Sequence, residues 1–87
     1  MISSQSIEKG DEFYHVRYRD PDEFDTIRTP DWASEVGDSI SSGSEVRMGQ
    51  ERVGDDWAVQ SVLVHVDRAD EARAEDLADE IVRKIED

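Results

Sequence analysis

The chain has 87 residues, no cysteine, and 23 acidic against 10 lysine and arginine side chains, a net charge of -13 at neutral pH. That length holds one small domain. Disulfide and thiolate-metal chemistry are excluded, and a nucleic-acid partner is disfavoured because its backbone needs a surplus of Lys and Arg.

Only Lys9 and Lys84 are lysines, so the acid excess goes with retained arginine. Such a chain repels itself in dilute buffer and suits molar salt, where the Debye length falls to about 3 Å. We therefore expect a salt-adapted cytoplasmic protein. Leu, Ile, Val and Phe make up 19 of the 87 residues, close to the roughly 20% below which disorder is expected. The apolar residues nevertheless fall into regular periods, and these decide for a folded domain.

Residues 1–10 are polar and small and read as a flexible lead-in. They show no export signal, and no run in the chain approaches the ~18 apolar residues of a membrane span. Residues 11–87 read as a single α+β domain. From Glu12, Tyr14, Val16 and Tyr18 alternate with Phe13, His15, Arg17 and Arg19, the two-residue period of a strand with one apolar face. Asp20-Pro21-Asp22 ends it with turn chemistry. Phe24 and Ile27 then anchor a polar connection to Thr29-Pro30-Asp31, a helix start with Thr29 as cap.

Trp32, Ala33, Val36 and Ile40 form the apolar stripe of that helix, which Gly43 closes. Glu45–Val53 is a second strand, weakened by Gly49, and Gly54-Asp55-Asp56 is a tight turn. Trp57–Val66 is apolar on both faces, with Ala58, Val62, Val64 and Val66 on one and Trp57, Val59 and Leu63 on the other, which suits a central strand. Asp67 or Asp70 caps a last helix whose stripe is Ala74, Leu77, Ala78, Ile81, Val82 and Ile85.

The order β-α-β-β-α predicts a two-layer sandwich. A right-handed crossover sets the first two strands parallel with the third between them, giving a three-stranded sheet of order 2-3-1 with both helices on one face. Phe13, Trp57, Val59 and Leu63 would then share the opposite face, an apolar area larger than a monomer exposes, so a homodimer buried through them is expected.

The polar candidates lie close to that face. Arg17, Arg19, Arg28 and Arg47 form a possible anion site, since guanidinium forks match carboxylate and phosphate. The competing reading is that these arginines knit surface acids together. His15 and His65, on neighbouring strands, are possible acid/base or ligand residues. Neither their spacing nor any other motif requires a metal or cofactor, and none is expected. The acids of Asp20–Asp31 fail the calcium-loop pattern, with Asp25 where glycine belongs. Serines 39, 41, 42 and 44 match neither a nucleophile elbow nor a phosphate loop.

The run His15-Val16-Arg17-Tyr18-Arg19-Asp20-Pro21, continued by Ile27-Arg28-Thr29-Pro30-Asp31-Trp32-Ala33, by the tryptophan strand and by the acidic last helix, resembles a group of small acidic proteins of halophilic archaea. The likeness covers nearly everything after Gly10. It implies a salt-loaded cytoplasm and an α+β domain, and brings no activity, cofactor or catalytic residue with it.

The sequence thus points to a non-enzymatic, homodimeric interaction or binding module whose partner protein or small anion it does not name. The alternative is a small-ligand enzyme with a His/Arg-lined cleft at the dimer interface. Charge makes the first prediction: the melting temperature falls as KCl is lowered from molar to millimolar, and a level profile in a thermal scan contradicts the salt-adapted reading.

Overall fold

Pairing along the apolar run after Gly54 organises a sheet in the computed structural model, which describes residues 3–52, 54 and 56–86. The elements are β1 (Ser6–Lys9), β2 (Phe13–Arg17), a single 3-10 turn (Pro21–Glu23), β3 (Phe24–Arg28), α1 (Asp31–Ile40), β4 (Glu45–Glu51), β5 (Trp57–His65) and α2 (Glu71–Glu86). All five strands join one antiparallel sheet of order β1-β2-β5-β4-β3.

The expected three-stranded sheet of order 2-3-1 is therefore corrected to five strands. The added pair are the edges. β1 lies within the segment read as a lead-in and β3 within the segment read as a connection. An edge strand needs a ladder on one side only, so its apolar period can be almost empty. In β1 only Ile7, opposite Val16, packs on the core. In β3 an irregularity between Phe24 and Thr26 breaks the alternation. Of the expected second strand and turn, Val53 and Asp55 lie outside the described residues.

A second irregularity decides which side chains face where. Arg47 pairs with Ser61 but Met48 pairs with Val59, so Gln60 is an extra residue in β5. Beyond the bulge Val62 and Val64 join the core, and before it Val59 does. The expected grouping of Trp57, Val59 and Leu63 on one face is corrected accordingly: Val59 is 0% exposed in the core, and Leu63 lies on the opposite face, across from His15.

Both helices cover one face of the sheet. Ala33 of α1 and Ala74, Leu77, Ala78, Ile81 and Val82 of α2 close on Tyr14, Val16, Tyr18, Val46, Met48, Val59, Val62 and Val64. Tyr18 donates its hydroxyl to Asp79 Oδ1 at 2.6 Å, and burial with this carboxylate neighbour pushes its pKa well above the phenol range. Asp70, not Asp67, caps α2 by accepting the Arg73 N–H. At α1 the cap position is Pro30, so the expected Thr29 cap does not form.

On the uncovered face, Phe24 folds from β3 over Gly49 of β4 and is itself buried. A Cβ at Gly49 would overlap the Phe24 ring. Gly49→Ala is expected to lower stability by about 1–3 kcal/mol through this overpacking, read as a reduced urea midpoint at unchanged slope.

Candidate functional site

The register lays out the open face in rows across the strands. One row reads Ser6, Arg17, Ser61 and Arg47, and the next reads Glu8, His15, Leu63 and Glu45. Arg17 and Arg47 thus flank the buried Ser61, whose hydroxyl donates to Gln60 Oε1 at 2.8 Å. Arg17 lies 3.6 Å from Glu8, while Arg47 makes no ion pair among the described residues.

Of the four arginines read as one anion site, only these two share a row of the open face. Arg19 lies beyond the end of β2, donating to Glu86 at 2.9 and 3.2 Å and to the Val59 carbonyl at 2.7 Å. Arg28 pairs with Met48 across the ladder and therefore lies on the helix side of the sheet. The change of face follows from strand parity: Arg28 is one residue on from Ile27, which pairs with Gly49.

His15, in the second row, is half-buried. Burial lowers its pKa from 6.5, helped by the Arg17 and Arg47 charges and opposed by Glu8, so the imidazole is neutral at neutral pH. Its Nε2 is buried without a hydrogen bond. His65 lies diagonally from it on the same face, in contact with the Phe13 ring at a centroid distance of 4.3 Å. The two histidines line different hollows, His15 with Phe13 and Leu63, His65 with Ser42, Gly43 and Asp67. Among the described residues no group of three or more His, Asp or Glu side chains could hold a metal ion.

A second feature escaped the sequence reading. On the helix side, Trp32 at the start of α1 and Trp57 at the start of β5 line two adjoining hollows of about 430 Å³ each. Met48, 2% exposed, forms part of both floors. Arg28 and Asp31 complete one hollow; Arg19, Asp56, Ile85 and Glu86 complete the other. Trp32 was read as part of an apolar stripe and Trp57 as a dimer contact. The available signal was that both tryptophans open an element, where a side chain has neighbours on one side only.

No protein-family model, curated protein or solved structure matches the chain. The geometry of these two surfaces is therefore what bears on function.

The lowered pKa of His15 has a defined sign. Below 6.5 the unfolded chain binds the proton more readily than the folded one, so this contribution to stability is lost as pH falls from about 6.5 towards the lower folded-state value. His15→Gln is expected to remove it. The stability of the wild-type protein relative to that variant, from urea titrations at pH 7.5 and 5.5, should decline at the lower pH, and a constant difference would contradict the assignment.

Proposed function

We propose that the protein is a salt-adapted cytosolic interaction module that pairs with a second copy of itself through the open sheet face. The observation that carries this reading is the charge of that face. Its two central rows hold Arg17 and Arg47 against Glu8 and Glu45, a local balance on a chain whose net charge is -13. A like-charged copy meets least repulsion there.

The rows are also self-complementary. A two-fold axis running across the strands between them lays Arg47 of each copy over Glu45 of the other, as an isologous interface requires. Stacked sheets keep their strands within about 30° of one another, which preserves that match. Apolar contact is secondary, because Val59 is in the core, Trp57 is on the helix side, Leu63 is buried and Phe13 is half-covered. Molar salt removes the long-range repulsion between copies more completely than it weakens charge pairs closed inside the interface.

The histidine enzyme reading draws less support. Its two side chains line separate hollows, His15 with Phe13 and Leu63, and His65 with Ser42 and Arg68.

Sedimentation equilibrium in molar KCl tests the proposal. The expected species is a dimer; Arg47→Glu and Glu45→Arg each weaken it by about tenfold or more, and the double reversal restores it. A monomer at every concentration, or a dimer indifferent to both single reversals, overturns the reading.

A further inference from the structure

Trp32 and Trp57 are the only tryptophans in the chain, and both stand half in solvent at one cleft, 54% and 40% exposed. The fold buries Tyr14, Tyr18 and Phe24 to 6% exposure or less. Leaving the two largest aromatic side chains open around a buried methionine therefore forgoes apolar burial that the rest of the molecule takes.

The two hollows differ in charge. In the one shared with Ile85, Arg19 is held by Glu86 and by the Val59 carbonyl, and Glu86 also accepts the Val59 N–H. That leaves Asp56 as the charge without an ion pair among the described residues there. Among the described residues no free cationic donor lines that hollow, and the net charge of -13 draws cations and repels anions. An inorganic cation would ask for several oxygen ligands, which one free carboxylate does not supply. An alkylated ammonium sheds its water readily and is attracted by the indole ring quadrupole.

We propose that the hollow lined by Trp32, Trp57, Met48, Ile85 and Asp56 is a binding site for a small organic cation of the quaternary ammonium class. The two indoles supply the contact surface and the Asp56 carboxylate the complementary charge. The volume of about 430 Å³ accommodates such a ligand. In the adjoining hollow Arg28 makes no ion pair among the described residues, and it disfavours a cation there. The site lies on the helix side of the sheet and does not depend on the dimer.

Because both tryptophans line the cleft, indole emission reports on it directly. Titration of the full chain with tetramethylammonium chloride, at ionic strength held constant with NaCl, is expected to give a saturable emission change that tert-butanol, a neutral probe of similar shape, does not reproduce. Trp32→Ala and Asp56→Asn each weaken binding by about fivefold or more, and Trp57→Phe retains more affinity than Trp57→Leu at equal far-UV circular dichroism. Arg28→Gln leaves the affinity unchanged or tighter. Equal binding of tert-butanol would make the cleft merely apolar and overturn the proposal. So would a linear, unsaturable response.

Discussion

The extra residue in the middle strand is the constraint on which the remaining arrangement rests. Inserting Gln60 leaves the Val59 N–H and carbonyl beyond the end of the β2 ladder, and a buried backbone group without a partner costs about 1–3 kcal/mol. Glu86 of α2 accepts the N–H at 2.9 Å, Arg19 donates to the carbonyl at 2.7 Å, and the two side chains pair with each other at 2.9 Å. The bulged residue is satisfied as well. Its backbone carbonyl accepts from the Tyr18 and Arg19 N–H groups, and its side-chain Nε2 donates to the Arg19 carbonyl. An ion pair that would be minor on an open surface thus ties the end of α2 to the point where the sheet changes parity.

That parity change divides the function of one strand between two faces. After the bulge, β5 gives Val62 and Val64 to the core and Ser61, Leu63 and His65 to the open face. Before it, Val59 enters the core and Trp57 lines the helix-side cleft. Without the insertion, a strictly alternating strand would carry Trp57 and Val59 on the same side as Leu63. The open face would then be apolar at its centre and the tryptophan cleft would not exist. The removal of Val59 from the open face and the place of Trp57 in the helix-side cleft are two consequences of a single backbone irregularity.

Legibility in the sequence followed the number of faces an element buries. β5 and α2 were readable because both keep an apolar period through most of their length, β5 giving Val59, Val62 and Val64 to the core and α2 its whole stripe. His15, Arg17 and Arg47 sit on the open face because β2 and the first part of β4 alternate without interruption. Arg19 was misplaced because it lies past the last residue of β2, where alternation no longer governs direction. Arg28 was misplaced because its strand was read as a connection. The edge strands, with one neighbour each, carry too few buried residues to print a period.

Composition and periodicity by themselves determined the acid-rich, cysteine-free character of the chain, the two amphipathic helices and the apolar strand between the flanking ones. These are properties of local spacing, which the chain carries wherever it folds. Tertiary structure decided the edge pairing, the bulge at Gln60 and the meeting of Trp32 with Trp57, residues 25 positions apart in the sequence. Each of these depends on which backbone groups find partners across the sheet, and hydrogen-bond satisfaction between distant segments leaves no periodic trace in the order of side chains.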